Sequence, residues 1–242
     1  MLSKTQVKYI QSLLLKKFRD EYGEYIVEGP KMVSEALSQS RDDIQNIYAH
    51  ESWVTEQDVS AIKITEISED EMKKISSLST PPPVLAVLRK PVWNRPETFE
   101  GLTLLLDTIQ DPGNLGTIIR TADWFGVKNI VCNEGSADCY NPKVIQSTMG
   151  SIFRMQIFYE DIVTVIETHP SKPVLAASLE GKALTREEKW GDAFLVIGNE
   201  SGGIRPEILA RANRKILIPR IGSAESLNAA VATGILLYEL TT

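Results

Sequence analysis

The sequence predicts an α/β protein in which a parallel sheet is covered by helices on both faces and is preceded by a smaller α/β unit. Two observations predict this fold class. In the C-terminal half, apolar strand-like runs alternate with helix-like segments at the spacing of βαβ units. The run at 102–107 is almost continuously apolar, as a strand buried on both faces of a parallel sheet requires. Turns bearing Gly and Asn follow several of these runs, which predicts a site at the carboxyl edge of the sheet.

The N-terminal part alternates between helix and strand over about ninety residues, enough for a unit that folds alone. The spacing of Val7, Ile10 and Leu14 predicts an amphipathic helix over 4–17. Ser68 followed by Glu71 is a capping-box pattern and marks the start of a later helix. The predicted elements of this part are helices over 4–17, 30–37 and 68–77, and strands over 25–29, 44–50, 61–67 and 84–89.

The C-terminal part is more regular. We expect Asn114 to cap its first helix, Gly126 to end that helix, and Ser226 to cap the last helix of the chain. The predicted elements are strands over 102–107, 128–133, 154–159, 173–179, 194–199 and 215–220, and helices over 114–127, 141–151, 161–169 and 226–240.

A proline-rich segment marks the boundary between the two parts. Five prolines lie within 80–97, where they break helices and indicate a linker or an edge strand. The predicted domains are therefore 1–92 and 100–242, joined by a linker at 93–99.

Composition bounds the classes of function. The net charge of −6 gives no general electrostatic attraction for nucleic acid. Residues 1–19 nevertheless contain five cations and no acid, and such a local patch can bind phosphates on an acidic protein. The candidate RNA-binding residues are Lys4, Lys8, Lys16, Lys17 and Arg19.

The rarity of Cys and His argues against a metal site or a disulfide framework. Cys132 and Cys139 form no CxxC pattern, and the two histidines, His50 and His169, are far apart in the sequence. A reducing cytoplasm fits this usage. We expect neither a membrane span nor a signal peptide, because no apolar run reaches the ~18–20 residues that cross a bilayer.

Common nucleotide-binding and hydrolase motifs are absent from the sequence. It contains no GxxxxGK[ST], no GxGxxG after the first strand of either part, and no GxSxG. What remains are three unusual segments at 107–127, 194–204 and 216–240. In the second, Gly198, Gly202 and Gly203 allow the backbone to approach a ligand closely. In the first, Arg120 stands among apolar residues and is interpreted as a cation placed over a phosphate or a reacting oxygen.

Together these segments resemble the SpoU (TrmH) family of RNA ribose 2′-O-methyltransferases, of the SPOUT class. The three family motifs occur in the family's order, and the N-terminal part more loosely resembles the family's small RNA-binding domain, which is similar to ribosomal protein L30e. The matching stretches are 114–122, 197–203 and 218–220 with 226–228 for the motifs, and 25–37 with 80–87 for the small domain.

The resemblance implies a deep trefoil knot in the C-terminal domain, S-adenosylmethionine as cofactor, and a homodimer. Arg120 would lie beside the 2′-hydroxyl, in its own subunit or across the dimer interface. The catalytic residues implied are Arg120, Asn114, Glu200, Ser226 and Asn228. The cofactor-binding residues implied are Gly198, Asn199, Gly203, Ile218, Pro219 and Leu227.

Several alternatives stay open at this point. A non-catalytic RNA-binding or ribosome-assembly protein could keep the fold, and a SPOUT enzyme could methylate a base instead of a ribose. The small domain favours ribosomal RNA as the target, with transfer RNA as the alternative. The third motif also departs from the family pattern, because Ala229 and Ala230 follow Asn228 where a serine is often present.

Overall fold

The computed structural model divides into two compact units. The first comprises Met1–Val92 with Tyr140–Phe153, and the second comprises Trp93–Cys139 with Arg154–Thr242. The domain ranges and the linker at 93–99 stay a prediction, and the segment Tyr140–Phe153 clusters with the first unit. The structure describes residues 1–55, 59, 62–184, 190–199 and 201–242.

The first unit contains a four-stranded mixed sheet. Its strands are β1 (Glu24–Glu28), β2 (Ile44–Ala49), β3 (Ile64–Glu66) and β4 (Val84–Arg89). The order is β1-β4-β2-β3, with β4 antiparallel to β1 and β2, and β2 parallel to β3. One core of this unit consists of Ile10, Leu13, Ile26, Tyr48, Ile67, Met72, Ile75, Leu85 and Val87.

Several helices accompany this sheet, and the predicted helix over 4–17 is wrong as a single element. This segment forms two helices, because the first helix ends at Ser12. The guanidinium of Arg19 donates to the carbonyls of Leu13 and Leu14, between the helices, at 2.9 and 2.8 Å. The predicted capping box of Ser68 and Glu71 is present. The helices are α1 (Lys4–Ser12), α2 (Lys16–Tyr22), α3 (Pro30–Gln39), α4 (Glu51–Val54) and α5 (Glu69–Ile75), and a 3₁₀ turn spans Arg41–Asp43.

The second unit contains the predicted parallel sheet. The strands are β5 (Thr103–Leu106), β6 (Asn129–Cys132), β7 (Gln156–Tyr159), β8 (Val174–Ala183), β9 (Phe194–Ile197) and β10 (Arg214–Leu217). They pair in parallel in the order β10-β8-β9-β5-β6-β7. From β5 the chain builds outward to β6 and β7, and then crosses to the other side for β8. The order therefore reverses between β5 and β9, whose carboxyl ends flank the crevice where such sheets bind ligands.

The remaining helices begin one or a few residues away from the expected caps. Asp111, not Asn114, caps the first, because its carboxylate accepts the N–H of Asn114 at 2.8 Å and Pro112 occupies the first turn. Asn228, not Ser226, caps the last by accepting two backbone N–H groups. The helices are α6 (Pro112–Trp124), α7 (Pro142–Thr148), α8 (Ile162–Glu167), α9 (Pro206–Leu209) and α10 (Ala229–Thr241); α7 and a 3₁₀ turn at Ser151–Phe153 lie in the first unit.

The core of the second unit lies against the sheet. It includes Phe99, Leu105, Val131, Phe158, Ile162, Val165, Val174, Phe194, Val196 and Ile208. Both cysteines are buried free thiols, and burial raises the pKa of the Cys132 thiol well above its ordinary value. Within the residues that the structure describes, no helix has the length and apolarity needed to cross a membrane.

Candidate active site

Two loops meet at the carboxyl ends of β5 and β9. The side-chain nitrogen of Asn199, just after β9, donates to the carbonyl of Thr108, just after β5, at 2.8 Å. Asn199 also forms a tight turn with Gly203 through two backbone hydrogen bonds. Gly198 is obligatory in this turn, because a Cβ at that position would lie 2.3 Å from the carbonyl carbon of Gly203. The second motif is thus a compact turn at the centre of the sheet's carboxyl edge.

A cavity of about 890 Å³ lies beside this turn. Its far wall is formed by residues 218–227 of the loop that follows β10, and this loop is exposed from Pro219 to Asn228. The end of β8 contributes Ser178 and Glu180, and α10 contributes Leu236. The volume falls within the ~300–1,000 Å³ of small-molecule sites. All six residues predicted to bind the cofactor line this cavity, as does Ser226; they are Gly198, Asn199, Gly203, Ile218, Pro219 and Leu227.

The first and third motifs meet through a direct side-chain contact. The amide nitrogen of Asn228 donates to the amide oxygen of Asn114 at 2.8 Å, across 114 positions of sequence. The oxygen of Asn228 accepts from the N–H groups of Ala230 and Val231 and so starts α10. Helices α6 and α10 pack together here, with Gly234 opposite Thr121. Asn114 and Asn228, both predicted to be catalytic, are thus hydrogen-bonded to each other where α6 and α10 begin.

Arg120 lies further along α6 and is exposed to solvent. Its guanidinium makes no hydrogen bond or ion pair with any residue that the structure describes. Arg120, Asn114 and Asn228 stand outside the described wall of the cavity. Glu200, the remaining residue predicted as catalytic, lies outside the described residues.

An ion pair that sequence reasoning did not identify holds the second motif in place. Asp107, the residue that follows β5, is 1% exposed. Its carboxylate accepts hydrogen bonds from the Nε and the backbone N–H of Arg205, at 2.9 and 2.8 Å. A buried carboxylate of this kind is stable only when it is paired and hydrogen-bonded. The available signal was a carboxylate that closes an otherwise apolar strand, although its partner lies 98 positions away.

The residues predicted to contact RNA differ in their exposure to solvent. Lys4, Lys8, Lys16 and Lys17 are exposed on α1 and α2. Arg19 is 2% exposed and its guanidinium binds the carbonyls of Leu13 and Leu14 between the two helices, so it is not part of the exposed basic patch.

A parallel sheet with a ligand-sized cavity at the carboxyl ends of its strands defines the class of α/β enzymes that bind a small cofactor. The sequence model of the SpoU rRNA Methylase family matches residues 101–238, and that of the MRM3-like substrate binding domain matches residues 4–86. The chain therefore belongs to the SpoU family of RNA 2′-O-methyltransferases, enzymes that use S-adenosylmethionine, as its three motifs predict.

Individual relatives match over nearly the whole chain. The 23S rRNA (guanosine(2553)-2'-O)-methyltransferase RlmP of Bacillus subtilis is 31% identical over 97% of this chain and 95% of its own length. A TrmH-family structure from Porphyromonas gingivalis has a TM-score of 0.89 at 38% identity and covers 99% of this chain and 98% of its own. The AdoMet-bound rRNA methyltransferase from Sinorhizobium meliloti has a TM-score of 0.86 at 30% identity and covers 99% of this chain and 96% of its own.

Proposed function

We propose that this enzyme methylates the 2′-hydroxyl of a ribose in ribosomal RNA. The observation that carries the proposal is the Asn114–Asn228 contact, which joins the helix bearing Arg120 to the loop that walls the cavity. The match of residues 4–86 to a substrate binding domain, and a relative whose name specifies 23S rRNA, support ribosomal RNA as the acceptor.

The cavity is the proposed site of S-adenosylmethionine. Its volume suits a ligand of that size, and the turn closed by Gly198 and Gly203 brings backbone groups to its wall. Ile218, Pro219 and Leu227 would form the opposite, more apolar side. Bound there, S-adenosylmethionine would supply a methyl group on its sulfonium sulfur, and displacement at the methyl carbon would release S-adenosylhomocysteine.

The chain must help the 2′-hydroxyl lose its proton. His169 is not placed to take it, because its ring is buried in the core, near the backbone carbonyls of Val165 and Glu97, and does not line the cavity. We propose that the positive charge of Arg120 lowers the pKa of the ribose 2′-hydroxyl, and that its guanidinium binds the adjacent RNA phosphate. The residues proposed to position the hydroxyl and relay its proton are Asn114, Ser226 and Asn228, with Glu200 completing the set.

An exposed apolar stripe on α10 is the proposed dimer interface. Val231, Ile235 and Tyr238 follow one another at helical spacing and are 51%, 37% and 57% exposed. Trp124, on the helix packed beside them, is 84% exposed. Soluble monomers seldom expose such a patch, and a two-fold interface pairs the same surface of both copies. Arg120 lies one turn before Trp124, so we propose that it serves the partner's cavity.

Three further features of the proposal rest on family membership. We propose that the C-terminal domain is a deep trefoil knot, that the domains are 1–92 and 100–242 with a linker at 93–99, and that the enzyme is cytoplasmic. The exposed loop 218–228 is the segment expected to take part in the knot.

The four exposed lysines of α1 and α2 are the proposed first contact with RNA phosphates. They stand on the unit that matches a substrate binding domain. Lys16 also pairs with Asp20 at 2.6 Å, an exposed ion pair that contributes little to stability and can exchange for a phosphate. The proposed set is Lys4, Lys8, Lys16 and Lys17.

A transfer assay tests the proposal. The purified chain is incubated with methyl-tritiated S-adenosylmethionine and either unmodified 23S rRNA or a pool of unmodified transfer RNAs, and the product nucleosides are separated. We expect a 2′-O-methylnucleoside from 23S rRNA. Label in transfer RNA alone would change the target, label on a base would exclude ribose chemistry, and donor binding without transfer to either RNA would contradict the proposed function.

A further inference from the structure

The side-chain amide of Asn199 makes three hydrogen bonds with residues that the structure describes, although Asn199 lies in the cavity wall. Its oxygen accepts the backbone N–H groups of Ser201 and Gly202 at 2.8 and 3.2 Å. Its nitrogen donates to the carbonyl of Thr108 at 2.8 Å. A primary amide has two acceptor positions on its oxygen, and here both are used. Its oxygen therefore has no position left for the methyl donor, and one N–H of its nitrogen is without a partner among the described residues.

Its partner Thr108 has an unusual backbone conformation. Thr108 has a φ of +63°, in the left-handed region that a β-branched residue rarely adopts. Such a conformation costs free energy and persists only where the surroundings hold it. Two groups hold this one: Asn199 binds the Thr108 carbonyl, and the carboxylate of Asp107, just before it, is clamped by Arg205.

The chain beyond Thr108 leads directly to the proposed catalytic residues. Ile109 is completely buried, and its carbonyl accepts the N–H of Ala137 at 2.8 Å. Asp111 then caps α6 by binding the N–H of Asn114, whose side chain accepts from Asn228. Thr108 thus lies shortly before Asp111, the cap of α6, and Arg120 projects from that helix.

We propose that Asn199 is a positioning residue that ties the cavity turn to the start of α6, and that its amide does not bind the methyl donor. This inference rests on the proposed function of the site. It places the donor turn and the Asn114–Arg120 helix in one rigid arrangement, so the tie affects the rate of transfer more than the affinity for the donor.

The Asn199→Asp variant isolates this tie. A carboxylate still accepts from Ser201 and Gly202, but it cannot donate to the Thr108 carbonyl and faces it with negative charge. We expect kcat on 23S rRNA to fall about tenfold or more, while the Kd for S-adenosylmethionine in calorimetry changes by less than about threefold. The matched control is Asn213→Asp, because the Asn213 oxygen likewise accepts a backbone N–H, that of Val174, away from the cavity. The control should change neither quantity.

A second variant tests the strained residue. Glycine adopts the Thr108 conformation without the side-chain penalty, so Asn199→Asp combined with Thr108→Gly should recover at least about threefold of the lost kcat. No recovery, or a rise in the donor Kd that matches the fall in kcat, would overturn the inference.

A crystal structure of the unmodified chain with S-adenosylhomocysteine decides the question even if Asn199→Asp does not fold. The Asn199 amide bound to Thr108 and Ser201, with no amide atom within hydrogen-bond distance of the ligand, supports the inference, whereas an amide turned onto the ligand refutes it. Wild-type transfer to 23S rRNA separates the two proposals: its absence contradicts the function, and its presence with an unaffected Asn199→Asp kcat contradicts only the positioning role.

Discussion

Gly198 is the residue where the backbone leaves least room for change. A Cβ there would meet the Gly203 carbonyl carbon at 2.3 Å and the Ile204 nitrogen at 2.5 Å, and backbone atoms in a closed turn cannot yield as a flexible side chain does. The turn must therefore open to admit any side chain. The shape of the cavity wall therefore depends on the absence of a side chain at Gly198.

We predict that Gly198→Ala weakens donor binding at least about tenfold and destabilises the protein by about 1–3 kcal/mol, the usual cost of overpacking. Calorimetric titration with S-adenosylmethionine and thermal unfolding measure the two effects. Gly191→Ala is the matched control, since a Cβ there meets nothing within 4 Å and the backbone is not left-handed. Donor affinity equal in Gly198→Ala and wild type would show that this turn does not shape the donor site.

Arg120 has the opposite character, because it is exposed and engages no described residue. A cation without a partner among the described residues is available for substrate. We predict that Arg120→Ala lowers transfer by about 100-fold or more, as the loss of one charge-stabilising donor does, and leaves the donor Kd within about threefold of wild type. Single-turnover transfer with saturating donor measures the first, and calorimetry the second.

Arg120→Lys provides the graded comparison for this variant. It keeps the charge but loses the planar, bidentate guanidinium, so its rate should lie between wild type and Arg120→Ala. Undiminished transfer by Arg120→Ala would remove the residue from the mechanism.

At the scale of elements, α10 has two faces with different tasks. One face packs in the second unit through Ala230, Thr233, Leu236 and Leu237, and the other exposes the apolar stripe. We predict that Val231→Glu with Tyr238→Glu converts a dimer of twice 26.9 kDa to a monomer in light scattering, because the stripe cannot bury two carboxylates unpaired. Leu15→Glu, at an equally exposed apolar position just before α2, should leave the dimer intact. A wild-type chain that is monomeric at micromolar concentration would contradict the interface.

The same interface determines whose Arg120 serves which cavity. When Gly198→Ala and Arg120→Ala dimers exchange subunits at random, half of the resulting dimers contain one subunit of each kind. If Arg120 acts across the interface, each such heterodimer has one site with both an unaltered Gly198 and an unaltered Arg120. We therefore expect about a quarter of wild-type activity from two nearly inactive parents. Activity no higher than that of the parents would place Arg120 in the same subunit as its cavity.

Helices α1 and α2 form the other functional element, since they present the four exposed lysines. We predict that changing Lys4, Lys8, Lys16 and Lys17 together to Gln weakens RNA binding and lowers the slope of log K against log salt by up to about 3, near 0.7–0.9 per phosphate contact. Fluorescence anisotropy with a labelled 23S rRNA fragment measures the slope. The control quartet of exposed lysines elsewhere is Lys63, Lys73, Lys74 and Lys128. Equal slopes for the two quartets would remove RNA from this surface.

At the scale of the whole chain, the second unit was largely predictable, because its sheet is built from short apolar runs. Strands β5 and β9 were predicted from such runs, and their burial followed from the continuous apolar sequence that a parallel sheet requires, but the pairing of β5 with β9 was not predicted. The prediction of a site at the carboxyl edge followed from strand ends that share this edge, and residues of the second and third motifs line the cavity there, whereas Asn114 and Arg120 of the first motif do not.

What the sequence could not predict depends on partners distant along the chain. The interruption between α1 and α2 depends on the guanidinium of Arg19, which binds the carbonyls of Leu13 and Leu14, and no periodicity in the sequence indicates that contact. The pairing of Asp107 with Arg205 spans 98 positions. The start of α6 was misread for a local reason: Asp111 before Pro112 was the stronger start signal than Asn114.

The central claim is that this site places a methyl group on a ribose of ribosomal RNA. The most direct measurement is a quantitative map of 2′-O-methyl groups in 23S rRNA from cells that lack the gene, complemented with the wild-type chain or with Arg120→Ala. The account predicts that one 23S ribose loses its methyl group in the deletion, regains it with the wild-type chain, and stays unmethylated with Arg120→Ala. Maps that are identical with and without the gene would contradict it.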